Sequence, residues 1–470
     1  MRRVVRLEQR RRLRERRVEF ILLTLILIAL FFLLFIFLSM HREGGMEAQT
    51  RAQAILPLRI GVDGDLAGEI TPLVQRFQDA RADDPVEVVE DGGSVVITRV
   101  PFFVFKGYRR EILSVPALRL WAGDRERILR QARSIWLCGD EDGGRTEELA
   151  DFLARELAAL HPEITLNAVG DIIPGRKVAM KMAQNGVLYP FREVAPHVNG
   201  ADIVYADLEC PLSDRYPPPY QGVDFIAPSG TIEGLKLCGI DIVSLANNHS
   251  TNFGTAAFTD TLQLLQANGI AYVGGGYNAD EAYRRAVMDV KGTRISFLDY
   301  NSILGSINAT PSRPGVAWID MQPFAADDPE DVAMVQAAIR DAKRDSDFVI
   351  ASFHWSEEYK KIPSPSQKKV AHAACDAGAD MVIGTHPHCI QSLEWYGDSL
   401  IAYSLGNFVF DQMWADYTRQ GIILRCSLVG GELVDVEVVP YLICDYCRPV
   451  VLDPANGRRI LDELLAISDL

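Results

Sequence analysis

Cysteine is scarce in this chain, which has 8 cysteines among 470 residues and no long repeat or low-complexity tract. Cys444 and Cys447 form a C-x-x-C pair, and no second pair stands at the spacing of a structural zinc site. The sequence therefore excludes a cysteine-ligated zinc module. A local disulfide and two plain thiols remain alternatives for this pair. The other six cysteines lie mostly in or beside apolar runs, which indicates buried thiols.

Acidic residues outnumber basic residues outside the N-terminus. Residues 1–17 hold nine arginines and two glutamates (+7), which leaves −22 for the rest of a chain whose net charge is −15. Such an acidic chain is not expected to bind nucleic acid. A nucleotide-binding Gly-x-Gly-x-x-Gly pattern is also absent, and the three glycines at 274–276 predict a turn.

One long apolar run is present near the N-terminus. Residues 20–40 contain only one threonine and one serine among apolar residues, and this length matches the ~20 residues that cross a bilayer core. The run is too long for a signal-peptide core, and the arginines before it predict a cytoplasmic N-terminus. We therefore expect a basic cytoplasmic tail over 1–17, a single transmembrane anchor over 18–40 and a linker over 41–55. The rest of the chain would be extracytoplasmic.

Strand-like and helical patterns alternate over residues 56–160 and predict a small α/β domain. Within it, residues 100–124 loosely resemble a lobe of extracellular solute-binding proteins. An α/β spacer without a ligand is the alternative.

Five short apolar runs in the C-terminal two-thirds of the chain each end in a polar residue that can bind metal. Such runs are typical of strands buried on both faces, and helical patterns lie between several of them. The alternation predicts an α/β layered domain over 165–450, in which the polar residues meet at one sheet edge. A C-terminal helix over 451–470 is expected to pack back on it. The polar residues are Asp171; Asp207 and Glu209; Asn247, Asn248 and His249; His354; and His386 and His388.

Six segments resemble the CapA family of capsule, or poly-γ-glutamate, synthesis proteins. They occur in the family's order and are residues 170–176 (GDIIPGR), 207–212 (DLECPL), 245–249 (LANNH), 354–359 (HWSEEY), 384–388 (GTHPH) and 403–408 (YSLGNF). This family is similar in turn to the calcineurin-like metallophosphatases. The resemblance implies a four-layer α/β (α+β) fold, a β-sandwich flanked by helices, with mixed sheets in place of a purely parallel one.

The resemblance also implies a site for one or two divalent metal ions. Its ligands would be Asp171, Glu209 as a bridging carboxylate, Asn248, His354, His386 and His388. This mixture of oxygen and nitrogen donors suits Mn, Fe or Zn. His249 is implied as a general acid, and Arg176 is predicted to hold a phosphate or carboxylate. Asp207 has two alternatives, pointing into the site or away from it.

Two departures from the phosphatase pattern bear on the activity. Ile173 stands where the phosphatases have a histidine ligand, and Glu209 replaces the usual bridging aspartate. We expect a membrane-anchored, extracytoplasmic, metal-dependent hydrolase or transferase that acts on an anionic envelope polymer or its phosphorylated precursor. One alternative is a non-catalytic subunit that assists polymer synthesis, export or anchoring beside membrane partners. Another is a solute-binding receptor based on residues 56–125.

Overall fold

The computed structural model describes residues 162–219 and 221–470, together with the helices and strands between residues 58 and 160. The expected tail and anchor, residues 1–40, and the linker lie outside the described residues. Within the described part, no helix has both the length and the apolar character needed to cross a membrane.

The strands alternate with helices through most of the chain. They are β1 Leu58–Val62, β2 Val86–Val89, β3 Val95–Thr98, β4 Tyr108–Val115, β5 Leu118–Ala122, β6 Arg125–Arg130, β7 Arg133–Gly139, β8 Glu163–Ile172, β9 Ile203–Leu208, β10 Ile242–Ser244, β11 Ala271–Val273, β12 Gly275–Gly276, β13 Ala286–Val290, β14 Thr293–Asn301, β15 Gly315–Val316, β16 Phe348–His354, β17 Met381–Thr385, β18 Leu393–Tyr396, β19 Ser399–Ala402, β20 Asn407–Val409, β21 Gln420–Val429, β22 Glu432–Cys444 and β23 Arg448–Val451.

The described α-helices are α1 Ala67–Asp79, α2 Gly143–Leu160, α3 Arg176–Asn185, α4 Ala195–Val198, α5 Ile232–Leu237, α6 Gly254–Ala267, α7 Ala279–Ala282, α8 Pro329–Lys343, α9 Pro365–Asp376, α10 Asp416–Arg419 and α11 Pro454–Ile467. Local sequence fixes several of their ends. The Ser364 side chain accepts from the backbone of Gln367, whose own side chain accepts from the backbone of Ser364, and Pro365 stands at the first turn of α9. This reciprocal capping starts the helix at that point.

Two large sheets form the main body, which is a mixed α/β structure. The larger sheet contains ten strands along the path β11-β10-β9-β8-β21-β22-β5-β6, with β20 paired to β8 and β23 paired to β22. The smaller sheet has six strands in the order β13-β14-β16-β17-β19-β18. Strands β8 to β11 and strands β14, β16, β17 and β19 pair in parallel, whereas β21, β22, β13 and β18 introduce antiparallel pairs.

Apolar side chains pack the two sheets face to face. Leu166 and Tyr205 of the larger sheet and Ile350 and Ile383 of the smaller sheet belong to one buried cluster. A second cluster joins the outer face of the larger sheet to α3, α5 and α6, and a third joins the outer face of the smaller sheet to α8 and α9. The order of layers is therefore helices, sheet, sheet, helices.

The strands between residues 56 and 160 belong to two different sheets. Strands β2-β1-β3-β7-β4 make a separate five-stranded sheet, whereas the hairpin β5–β6 joins the edge of the larger sheet through parallel pairing of β5 with β22. Ligand binding by residues 56–125 stays a prediction.

Near the C-terminus, Cys444 and Cys447 are free thiols, so the structure favours two plain thiols over a local disulfide for this pair.

Candidate metal centre

The candidate site lies where the carboxyl ends of parallel strands from both sheets meet. Asp171 at the end of β8 pairs in register with Asp207 of β9, and Glu209 follows two residues later. In the smaller sheet, His354 ends β16 and pairs with Thr385 of β17. Parallel strands end at the same edge, so the polar residues that follow them are brought together.

Five of the six predicted ligands form two groups that share one residue. Glu209, His354 and His386 make one group, and Asp171, Glu209 and His388 make the other; within each group the potential ligand atoms lie within 4.8 Å of one another. All five residues are buried. Glu209 is therefore placed to bridge two ions.

The sixth predicted ligand, Asn248, lies next to the group that contains His354. Its Oδ1 lies 2.7 Å from Nε2 of His354, and the same nitrogen is 3.5 Å from Oε1 of Glu209. The ring of His386 lies 4.8 Å from that of His354, measured between centroids. The structure thus brings all six predicted ligands together.

Several of these buried polar atoms have no hydrogen-bond partner among the residues that the structure describes. They are Oδ1 of Asp171, both carboxylate oxygens of Glu209 and Nδ1 of His386. Leaving a buried polar group unpaired costs ~1–3 kcal/mol, and more for a charged group. Four such atoms in one cluster need a common partner. A divalent cation satisfies carboxylate, amide and imidazole donors together, so the residues present fit a metal centre.

Burial and mutual charge shift the titration of the cluster. Burial raises the pKa of Glu209 to about 7, against the opposing charges of His354 and His388. Burial lowers the pKa of His354, but Glu209 and Asp207 outweigh it and raise that pKa to about 10. Burial likewise lowers the pKa of His388, but Glu209 and Asp171 outweigh it and raise that pKa to about 9. Glu209, His354 and His388 thus hold protons that a metal would have to displace.

The loop residues of the site have unusual backbone geometry. His386 and His388 both have positive φ, 90° and 53°, which is uncommon outside glycine. Asn407 supports the second of them, because its Nδ2 donates to the carbonyl oxygen of His388 at 3.3 Å and to that of Thr418 at 2.9 Å. Such local strain clusters at functional sites.

His249, the predicted general acid, lies at the side of the cluster. Its Nε2 is 4.0 Å from Oε1 of Glu209, and its Nδ1 is 2.9 Å from Oδ1 of Asn252. The same Asn252 oxygen accepts from the backbone of Phe225, so Nδ1 of His249 is the donor. Burial lowers the pKa of His249 to about 3, so the ring is neutral near pH 7.

Arg176, the predicted anion-binding residue, has its guanidinium paired with Asp411, with Nε 3.2 Å from Oδ2, and donates from Nη1 to the carbonyl of Gly222 at 2.8 Å. It lies between the rings of Phe225 and Phe410, at 4.6 and 5.1 Å. These two rings in turn contact His249 and His388, at 4.5 and 5.2 Å. Arg176 is thus separated from the cluster by one layer of aromatic rings.

Two buried carboxylates near the site were not predicted to be metal ligands or catalytic residues. Asp207, left undecided by its position in the sequence, points into the site and contacts Nδ1 of His354 at 3.0 Å. Asp299 is buried on β14 and accepts from Ser244 and Ser352 at 2.8 and 2.6 Å. The signal for Asp299 was a single carboxylate within an apolar strand, which a buried strand tolerates only with partners.

Comparison with known proteins gives a consistent family match. The family model "Bacterial capsule synthesis protein PGA_cap" matches residues 165–412, more than half of the chain. The capsule biosynthesis protein CapA of Bacillus anthracis is 33% identical over 328 residues, which cover 68% of this chain and 76% of that protein. The PGA biosynthesis protein CapA of Bacillus subtilis (strain 168) is 30% identical over 306 residues, which cover 64% and 77%.

Two solved structures are also similar. A hypothetical protein from Thermus thermophilus is 14% identical with a TM-score of 0.38, covering 60% of this chain and 100% of that one. The 5'-nucleotidase from Candida albicans is 11% identical with a TM-score of 0.31, covering 64% and 54%.

Proposed function

Because this chain belongs to the bacterial capsule synthesis protein PGA_cap family, we propose that it acts in the synthesis of a capsule or poly-γ-glutamate polymer as a metal-dependent hydrolase or transferase of the phosphoesterase type. The observation that carries the enzymatic part is Glu209, a fully buried carboxylate that is shared by two groups of potential metal ligands and has no hydrogen-bond partner in the described part of the chain.

The donor set supports Mn, Fe or Zn as the metal. Carboxylate, amide and imidazole donors together suit these ions better than Mg or Ca, which prefer oxygen ligands throughout. Bound ions of this kind supply charge neutralisation for a phosphate and a water of lowered pKa. In this proposal Asp171 and His388 would hold one ion, Asn248, His354 and His386 would hold the other, and Glu209 would be shared between them.

Two further side chains have roles in the proposed chemistry. His249 exposes Nε2 toward the cluster because Nδ1 donates to Asn252, so this nitrogen is available to accept a proton and return it to a leaving group. Arg176 supplies a positive charge that Asp411 and two phenylalanine rings hold in one orientation. We assign it to the non-reacting phosphate or carboxylate groups of the substrate.

The apolar run over 18–40 would anchor the chain in the membrane, with the metal site on the extracytoplasmic side. The substrate would be an anionic envelope polymer or its phosphorylated precursor, and membrane subunits of polymer synthesis would be neighbours.

One observation favours a second candidate, a non-catalytic subunit. Ile173 stands where the phosphatases have a histidine ligand, and it is fully buried in the apolar core, so the group around Asp171 has one donor fewer. A site of that kind could hold one ion and bind a polyanion without cleaving it.

Elemental analysis of the purified chain tests the proposal, beside His386→Ala and a matched control, His197→Ala. His197 is exposed and lies outside both groups. We expect about two equivalents of Mn, Fe or Zn in the wild type and the control, and loss of metal in His386→Ala. Hydrolysis of bis(p-nitrophenyl) phosphate should follow metal content. A wild-type chain without metal would overturn the proposal, and metal without phosphoesterase or transferase turnover would favour the non-catalytic subunit.

A further inference from the structure

Asp207 is fully buried and contacts a potential ligand without belonging to either metal-binding group. Its Oδ2 lies 3.0 Å from Nδ1 of His354. Its Oδ1 accepts from Nδ2 of Asn247 at 2.8 Å and lies 3.4 Å from Oγ of Ser244. Both carboxylate oxygens of Asp207 therefore already have hydrogen-bond partners, in contrast to those of Glu209.

The opposite nitrogen of His354 faces the metal-binding group. Nε2 lies 2.7 Å from Oδ1 of Asn248 and 3.5 Å from Oε1 of Glu209. A carboxylate that accepts from Nδ1–H leaves the Nε2 lone pair for a metal. Carboxylates in this position orient ligating histidines and raise their basicity in many metal sites.

Hydrogen bonds from both sheets fix the position of Asp207. The Ser244 hydroxyl lies between Asp207 and Asp299, at 3.4 and 2.8 Å from their oxygens. Asp299 belongs to the smaller sheet and also accepts from the backbone of Ala246 at 2.8 Å and from Ser352 at 2.6 Å. Asp207 thus sits on a polar bridge between the sheets, beside a histidine of the other sheet.

We propose that Asp207 is a positioning residue that holds His354 with Nε2 directed at the metal, and that it is not itself a ligand. This inference rests on the proposed metal site. It pairs Asp207 of the larger sheet with His354 of the smaller sheet, across the interface between the two sheets.

One neighbouring group could perform the same task. Oγ1 of Thr385 also lies 3.0 Å from Nδ1 of His354, and a hydroxyl can accept from it. Asp207 carries a charge and Thr385 does not, so the carboxylate should have the larger effect on the ring. Variants at both positions separate the two.

The experiment measures Mn²⁺ dissociation constants of the purified full-length chain by electron paramagnetic resonance. Asp207→Ala should weaken binding by ~10–100-fold. Asp207→Asn should lie between the wild type and Asp207→Ala, because an amide has one oxygen and cannot accept from both His354 and Asn247. Asp345→Asn, which alters a half-exposed partner of Arg285, should leave the constant unchanged.

A spectroscopic measurement separates positioning from a general structural effect. Histidine-selective ¹⁵N NMR of the Zn²⁺-loaded chain, which has 8 histidines, distinguishes ligation through Nε2 from ligation through Nδ1. We expect Nε2 ligation by His354 in the wild type and its loss in Asp207→Ala, with the ¹⁵N signals of His197 and His372 unchanged.

The outcomes distinguish this inference from the proposed function. Wild-type metal binding with an unchanged Asp207→Ala variant would overturn the positioning role alone. So would a larger effect of Thr385→Val than of Asp207→Ala. A wild-type chain that binds neither Mn²⁺ nor Zn²⁺ would overturn the proposed function together with this inference.

Discussion

Asn248 and His354 meet through their side chains, with Oδ1 of the amide 2.7 Å from Nε2 of the imidazole. Asn248 follows β10 of the larger sheet, and His354 ends β16 of the smaller one. The candidate metal centre therefore spans the interface between the two sheets. A ligand bound there contacts both, so metal binding should stabilise the packed sandwich relative to the unfolded chain.

Glu209→Gln should remove the stabilisation of the fold by bound metal. The amide keeps the size of the side chain and loses the negative charge shared by both groups of ligands. Saturating Mn²⁺, at 100 times its dissociation constant, should stabilise the wild type by ~2.7 kcal/mol and raise its Tm, but leave the variant almost unaffected. Differential scanning calorimetry with and without Mn²⁺ measures this. Glu437→Gln, at a partly exposed partner of Arg425, is the control. An equal rise in both variants would contradict the bridging position of Glu209.

Metal binding at neutral pH should release protons. The pKa values of His354 and His388 are raised to about 10 and about 9 in the metal-free protein, so both imidazoles are protonated at pH 7. Each must lose a proton to become a ligand, and affinity should therefore rise with pH from about 7 to about 10. Isothermal titration calorimetry in two buffers of different ionisation enthalpy gives the number released. Identical heats in both buffers would show that metal binding releases no protons, and would contradict the raised pKa values of His354 and His388.

Asp299→Asn should alter the pH dependence of stability. Burial raises the pKa of Asp299 to about 7, above its unfolded value, so the folded state binds the proton more tightly. Stability contributed by the protonated form is complete below the unfolded pKa and is lost as pH rises toward 7. The variant cannot ionise, and its Tm relative to the wild type should therefore increase from pH 4 to pH 7. Thermal unfolding of the metal-free proteins measures the difference; a constant offset would contradict the raised pKa.

Gly170→Ala should disturb the strand that carries Asp171. A Cβ at Gly170 would lie 1.9 Å from the carbonyl oxygen of Gly406. The backbone of β8 and the neighbouring loop would have to separate, at a cost of ~1–3 kcal/mol or more. Urea unfolding should show this loss, and metal affinity should fall with it. Gly230→Ala is the control, because its Cβ would meet only Val187 at 3.4 Å.

Asn252→Asp should raise the pKa of His249. Asn252 is neutral and contacts Nδ1 at 2.9 Å, whereas a carboxylate there favours the protonated ring. Burial now lowers the pKa of His249 to about 3, so little of the acid form exists at pH 7. If His249 donates the proton to the leaving group, the variant should have a higher kcat at neutral pH. The basic limb of its kcat–pH profile should shift to higher pH. A kcat–pH profile that does not move would exclude His249 as the acid.

The sequence pattern predicted the strands and the convergence of the site well. Five apolar runs ending in polar residues correspond to β8, β9, β10, β16 and β17, and helices such as α6, α8 and α9 lie between them as the helical patterns predicted. Local periodicity decides these elements. The six predicted ligands lie together because each is at, or a few residues beyond, the carboxyl end of a parallel strand, a relation that can be recognised along the chain.

Pairing between distant strands could not be predicted in the same way. The central strand β8 lies between β9, its neighbour in sequence, and β21, which is more than 240 residues further along. The runs alone predicted one sheet, and the family resemblance was needed to expect two. Asp299 was missed for a related reason, because its partners Ser244 and Ser352 come from different sheets.

The position of β8 also determines when the candidate metal centre can be completed during synthesis. Asp171 contacts His388, 217 residues away, and β8 pairs with both β20 and β21 near the C-terminus. A nascent chain that lacks these segments therefore has neither the completed sheet nor either complete group of potential ligands, and it exposes the unpaired edge of its central strand. Any metal ion would bind only after these segments have been synthesised, and the ions available to it would be those of the compartment in which the chain finishes folding.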